Sequence, residues 1–393
     1  MSDYDQPFDR TESQAEKWDK EVLAEKYGSD DVLPFWIADM DFPVSPAILE
    51  RLAQRTRQAT FGYERRPESL VGAVQHWNAT RHNWTIDASA VRFTSGTMHS
   101  ITQMLETFTN TGDGVIIQPP VYFQFHKAVQ LSGRNVVLNP LQLVDGRYEL
   151  DFDDLERKAA TASTKALLLC NPHNPVGRVW RREELQRVAD ICLQHDVIVL
   201  ADEVHADFVF SDHSYTPFLS LSDEVAQHSV SFLSPAKPFN IPSIATGFTV
   251  IPNSELQDSF DRLSEASLLD HVGAFGCVAT QAAYTESAQW LDATIKYVQQ
   301  NVDFLCEAVE QRISGVDVVR PEGTFLAWLD FRKLQLSTDQ LEAFLAKEAK
   351  IALKPGQSFG AAGEGFCRMS IGCSRDLLKQ AISRLEQALA TKL

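Results

Sequence analysis

Between residues 91 and 237 the chain alternates between two kinds of segment. Short, nearly unbroken apolar runs occur in VRFTSG (91–96), GVIIQPP (114–120), RNVVLNPL (134–141), KALLLCNP (165–172), DVIVLADEV (196–204) and VSFLSPAK (230–237). Runs of aliphatic and β-branched residues bounded by Gly, Pro, Asn or Asp predict strands covered on both faces. Between several of them the apolar period lengthens to that of an amphipathic helix, in HSITQMLETFTN, YFQFHKAVQLS and REELQRVADICLQH. The alternation predicts an α/β fold built from βαβ units, a mostly parallel sheet with helices on both faces.

From about residue 290 the order changes. A long helical stretch, WLDATIKYVQQNVDFLCEAVEQRI, leads to a strand in GTFLAWLDF; then come a helix (TDQLEAFLAKEAK), a strand (FCRMSIG) and a closing helix (RDLLKQAISRLEQALATKL). This suggests a second, smaller α+β domain. A chain of 393 residues exceeds what one core usually serves. The expected division is 1–48, an N-terminal segment packing with the small domain, 49–288, a large domain, and 289–393, the small C-terminal domain.

Composition narrows the function classes. Hydrophobic residues at 44% and charged residues at 23% are ordinary for a soluble globular protein. A formal net charge of -17 argues against a nucleic-acid partner, whose phosphates would be repelled. No apolar run approaches the roughly 20 residues that span a bilayer, so no membrane association is expected. The six cysteines form no C-x-x-C pair and no zinc spacing, and the opening segment is polar and acidic. Both lead to the expectation of reduced thiols in a cytoplasmic protein. His76, His82 and His99 lack ligand spacing, so no metal is expected.

In open α/β sheets ligands bind beyond the carboxyl ends of the strands, and several polar residues fall there. Ser95, Gly96 and Thr97 end the first run and open a helix, a phosphate cradle or an ordinary cap. KALLLC runs into the rigid loop NPHNPVG, which presents Asn174. VIVL runs into Asp202 and Glu203, with His205 close behind, although carboxylates are rarely buried unless paired. The last run ends in Ser234 and Lys237, the lysine set between prolines in SPAKPFN. Taken singly, each is an ordinary turn or strand end. One pocket holding all of them suits pyridoxal 5'-phosphate (PLP), which needs a lysine for its aldehyde, an anion for its ring nitrogen and donors for its phosphate.

NPHNPVG, ADEVHADF and SPAKPFN, in this order, resemble fold-type I PLP enzymes of the aspartate aminotransferase superfamily. LPFWIADMDFPVSPAI (33–48), FGYERRP (61–67), FNIPSIATGFTVIPN (239–253), GTFLAWLDF (323–331) and KPGQSFGAAGEGFCRMSIGCSR (354–375) are similar to one branch, the cystathionine β-lyase-like C–S lyases of the MalY/PatB group. The resemblance runs from about residue 5 to the C-terminus and makes 49–288 the PLP-binding domain. It implies that Lys237 bears the cofactor and shuttles the Cα proton. Asp202 pairs with the ring nitrogen, Asn174 donates to the 3'-oxygen and Tyr122 stacks on the ring. Gly96, Thr97, Met98 and Ser234 hold the phosphate. Tyr63 reaches the phosphate of a partner subunit, which implies a homodimer with shared active sites. Arg368 binds the substrate α-carboxylate, and Ile37 and Ala38 line the substrate pocket.

Three positions depart from the branch pattern. Ala236 and Pro238 flank the lysine where many relatives carry hydroxyls. His205 stands where aminotransferases of the superfamily commonly have a tyrosine at the 3'-oxygen. FDRTESQAEKWD lacks the usual Gly-Thr while keeping its Arg and Lys-Trp-Asp. The activity implied is β-elimination of a thiol from an L-cysteine conjugate, giving pyruvate and ammonia from a small amino-acid substrate. An aminotransferase shares every step up to the Cα carbanion and is the alternative. A PLP-binding regulatory protein is a third reading, disfavoured by the acidic charge and the lack of a helix-turn-helix extension.

Overall fold

The computed structural model describes residues 4–6, 8–267 and 273–392. Seven strands form the large sheet: β1 (Val91–Thr94), β2 (Gly114–Ile117), β3 (Asn135–Leu138), β4 (Thr164–Cys170), β5 (Ile198–Asp202), β6 (Ser229–Leu233) and β7 (Gly247–Val250). Their order is β1-β7-β6-β5-β4-β2-β3. Pairing is parallel from β6 to β3, and β7 runs antiparallel to both its neighbours. Six of these strands coincide with the six apolar runs, two of them beginning one residue earlier. The seventh, GFTV, was not predicted: four residues that include a glycine and a threonine do not stand out as a run.

The unbroken apolar character of the central strands follows from their double coverage. In β4, Leu167 and Leu169 join the core on one face, while Ala166, Leu168 and Cys170 join the core on the other. Burying each such leucine stabilises the fold by roughly 1.5–3 kcal/mol. The helix Thr97–Phe108 follows β1 directly, and Arg182–Gln194 connects β4 to β5. Cys170 stands beside Asp202, and Asp202 beside Phe232, so the carboxyl ends of β4, β5 and β6 are level.

A second, four-stranded antiparallel sheet contains β8 (Asp317–Val319), β9 (Leu326–Asp330), β10 (Lys354–Pro355) and β11 (Phe366–Ser370), in the order β8-β9-β11-β10. The helices Ala288–Arg312 and Arg375–Lys392 accompany it. The helical run expected over 338–350 is α-helical at Thr338–Ala343 and widens to a π-helical turn at Phe344–Glu348. Leu33–Pro34 pairs with Ile351–Ala352, which ties the beginning of the chain to its C-terminal third. No described helix is long and apolar enough to cross a membrane.

Candidate active site

The segment WIADMD is brought against the Lys237 loop by a clasp of polar bonds. Asn240, in the left-handed conformation at φ 56°, accepts from the Met40 amide at 3.0 Å and donates to the Met40 and Phe42 carbonyls, both at 2.9 Å. Lys237 Nζ donates to the Ala38 carbonyl at 2.7 Å. Behind the segment, Arg10 pairs with Asp39 and Asp41, and the fully buried Lys17 pairs with Asp41 at 2.7 Å. The Arg and Lys noted near the start of the chain therefore hold the cavity wall.

On the opposite side, the NPHNPVG loop must turn back under Pro321. Gly177 sits at φ +73°, and a Cβ there would lie 2.4 Å from Pro321 Cβ, so only glycine fits. The loop is fixed further by the buried Arg178, which donates to Glu322 at 3.0 Å, to Glu184 at 2.9 Å and to the Tyr148 carbonyl. Asn174 is thereby held at the cavity, its Oδ1 accepting from Arg368 Nη1 at 3.1 Å.

A cavity of about 410 Å³ lies beyond the carboxyl ends of β4 and β5, a volume suited to a small ligand. Ile37, Ala38, Thr97, Met98, Tyr122, Asn174, Asp202, His205, Lys237 and Arg368 all line it. So do Glu16, Lys26, Trp36, Phe123, Gln124, Cys170, Val204 and Lys354. Among these, Lys354, Lys26 and Glu16 were not anticipated: Lys354 and Glu16 fall inside segments that carry the family resemblance, but nothing local points their side chains to the cavity.

Three predicted residues lie off this wall. Gly96 stands just behind Thr97, as the N-cap of the helix that begins there. Ser234 is buried; its Oγ donates to the Thr246 carbonyl at 2.7 Å and accepts from the Ala236 amide at 3.0 Å. Its hydroxyl thus bridges the Lys237 loop and the residue that precedes β7. Tyr63 is fully exposed and outside the cavity.

The electrostatics of the cavity are those of charges buried without full partners. Burial pushes the Asp202 carboxyl up to about 7, against the pull of the Val204 amide and the Lys237 charge. Burial also brings Lys237 down to about 8, assisted by the positive charge of Arg368. His205 is lowered to about 3 by burial and then by the same two cations, so it is a neutral imidazole, and its Nδ1 has no partner. Arg368 is 3% exposed and bonds Asn174 and the Trp36 carbonyl, yet no carboxylate pairs with it among the described residues and its Nε is unpartnered. Glu203, beside Asp202, is different: it accepts from Ser231 Oγ and the Phe218 amide, which makes it part of the scaffold. Cys170 lines the wall as a thiol, its pKa raised by burial.

This donor set fits PLP. The helix at Thr97 has no side-chain cap, leaving first-turn amides for a phosphate. Tyr122 offers an aromatic wall, Asp202 a carboxylate and Lys237 an amine of lowered basicity. Among the described residues no group of side chains could hold a metal.

The class I and II aminotransferase family matches over residues 30–385. Cystathionine β-lyase PatB of Bacillus subtilis (strain 168) is 37% identical over 387 residues, covering 98% of this chain and 100% of the relative. Protein MalY of Escherichia coli (strain K12) is 33% identical over 398 residues, 99% of each chain. Among solved structures, cystalysin from Treponema denticola, which contains a pyridoxal 5'-phosphate cofactor, superposes with a TM-score of 0.97 at 30% identity over 100% of both chains. With the family matched from residue 30 to residue 385 and full-length relatives above 30% identity, the chain belongs to the class I and II aminotransferase family of PLP-dependent enzymes.

Proposed function

We propose that the protein is a PLP-dependent C–S β-lyase that releases a thiol, pyruvate and ammonia from an L-cysteine conjugate such as L-cystathionine. The observation that carries this reading is the pairing, in one cavity, of Lys237 with an Arg368 that has no carboxylate of its own. Full-length similarity to a cystathionine β-lyase supports the choice of reaction. When bound, PLP supplies an electron sink that acidifies the Cα–H of an amino acid joined to it.

The chain's own residues do the rest. Arg368, planar and bidentate, binds the α-carboxylate and orients Cα. Lys237, with its pKa brought down to about 8, is in part a free amine near neutral pH and removes the Cα proton as a general base. Asp202 would hold the proton on the ring nitrogen, Asn174 and the neutral His205 would lie toward the 3'-oxygen, and Tyr122 would cover the ring. Thr97, Met98, the Gly96 backbone and Ser234 would hold the phosphate. Ile37 and Ala38 close the side where the sulfur substituent leaves. The fully exposed Tyr63 supports a homodimer in which it completes the partner's phosphate site. We further propose the domain division 1–48, 49–288 and 289–393 and a cytoplasmic location.

The test is L-cystathionine turnover by the purified holoenzyme, with pyruvate and free thiol measured together. Wild type should release both in equal amounts and K237A neither. Pyruvate from K237A at the wild-type rate refutes the assignment. Amino-group transfer to a 2-oxo acid without pyruvate makes the protein an aminotransferase.

A further inference from the structure

Lys354 has no part in the reading above, and its position calls for one. It lies on β10 directly across from Arg368 on β11, so the two side chains rise from the same face of the small sheet. Like charges in such a pair are unfavourable, and among the described residues no carboxylate forms an ion pair with either. Lys354 is half-buried and makes no hydrogen bond or ion pair among the described residues. Its Nζ lies 5.0 Å from the centre of the Phe123 ring, on the wall of the cavity. Two further hollows flank the cavity, and Lys354 lines all three. It therefore stands where the space beyond the reacting centre opens outward.

The surroundings reinforce the positive sign. Lys26 Nζ sits 3.8 Å over the Trp36 ring at the same mouth, and its one carboxylate partner, Glu16, is 3.1 Å away. Lys127 approaches the Phe123 ring at 5.7 Å. Glu342 lines the outer hollow with Lys26 and Lys354 but stays beyond ion-pairing distance of Lys354. In a protein of net charge -17, a half-buried cation left unpaired at a ligand cavity is a site for an anion that the ligand brings. Burial and then the charges of Arg368, Lys26 and Lys127 lower the Lys354 pKa, with Glu342 opposing them, so a further negative partner would favour the charged lysine.

We propose that Lys354, supported by Lys26, is an anion subsite that selects amino acids whose side chain ends in a carboxylate. This rests on the reading of Arg368 as the α-carboxylate site, and within the lyase reading it names the substrate class: S-substituted L-cysteines with a carboxylate-terminated sulfur substituent, L-cystathionine among them. A neutral S-alkyl cysteine would occupy the same cavity without this contact.

The experiment compares two ligands of similar length that have no sulfur leaving group, L-2-aminopimelate with a terminal carboxylate and L-2-aminoheptanoate with a terminal methyl. Their affinities for the holoenzyme are measured by calorimetry in wild type, K354M and K354R. The same comparison is made for turnover with S-(2-carboxyethyl)-L-cysteine and S-propyl-L-cysteine. Wild type should favour the carboxylate ligand about tenfold or more, K354M should abolish that ratio, and K354R should restore most of it. A ratio unchanged in K354M overturns the proposal, including the case in which both affinities fall together because Lys354 merely supports the sheet. Failure of the lyase reading looks different: neither cysteine conjugate yields pyruvate, while the binding ratio still responds to K354M.

Discussion

Replacing Asp202 by asparagine should stabilise the cofactor-free protein and at the same time weaken its hold on the cofactor. Burial raises the Asp202 carboxyl from 3.8 to about 7. Each unit is worth about 1.4 kcal/mol, so keeping the group ionised inside the fold costs roughly 4 kcal/mol. The sign follows from proton linkage. The folded state binds the proton more tightly than the unfolded state, so the protonated acid favours folding at low pH. That contribution declines above 3.8 and is gone once the pH passes about 7.

Between about pH 5 and pH 8 the wild type should therefore lose roughly 3 kcal/mol that D202N keeps. The assay is urea unfolding of both cofactor-stripped proteins across that range, followed by tryptophan fluorescence. With PLP present the order reverses. Without the anion opposite the ring nitrogen, retention should fall by roughly 3 kcal/mol or more, about a hundredfold in Kd. Opposite effects on stability and retention mark a carboxylate placed for a ligand. A stability difference that does not change with pH, or a cofactor-free D202N less stable than wild type at pH 8, would refute the reasoning.

Two further outcomes follow from other parts of the molecule. R178M removes the buried cation that Glu184 and Glu322 share and leaves them only the more exposed Arg181 and Arg147, so it should destabilise the protein by roughly 3 kcal/mol, seen as a lower melting temperature. If Tyr63 acts in the partner's site, Y63A and K237A, each defective alone, should complement when unfolded together and refolded. Random dimers would restore roughly a quarter of the wild-type pyruvate release, one intact site in half of the dimers; no recovery would place Tyr63 outside the active site.

What could be read from the sequence, and what could not, has a physical basis in particular residues. Asp202 and Lys237 stood out because each ends an apolar run that must be buried, where a charge breaks the burial rule. β7 did not stand out, and with it the bond that Ser234 makes went unseen. The acceptor of its hydroxyl is the Thr246 carbonyl, one residue before β7 begins, a partner that no local pattern marks. Lys354 was invisible for a similar reason. Its meaning comes from antiparallel register with Arg368, fourteen positions away, and no local pattern encodes that pairing. The clasp of Arg10 and Lys17 on Asp39 and Asp41 likewise joins residues 24 to 31 positions apart, beyond the reach of any helix or strand period.

The contrast between satisfied and unsatisfied charges locates the site more sharply than any motif. Away from the cavity, buried ions are paired: Lys17 with Asp41, Arg178 with Glu184 and Glu322, and Asp207 with His82 at 2.7 Å. Within it, Arg368 lacks a carboxylate, Asp202 accepts its one hydrogen bond from an amide at 3.2 Å, and His205 carries an unpartnered nitrogen. Leaving such groups unpaired in a fold able to pair others is destabilising, by roughly 1–3 kcal/mol for each polar group and more for each charge. A ligand whose charges complement the arrangement offsets that cost: a cation over Asp202, a carboxylate on Arg368 and, at the mouth, a second anion on Lys354. An amino acid carrying a carboxylate at each end, held on a pyridinium ring, has that charge pattern.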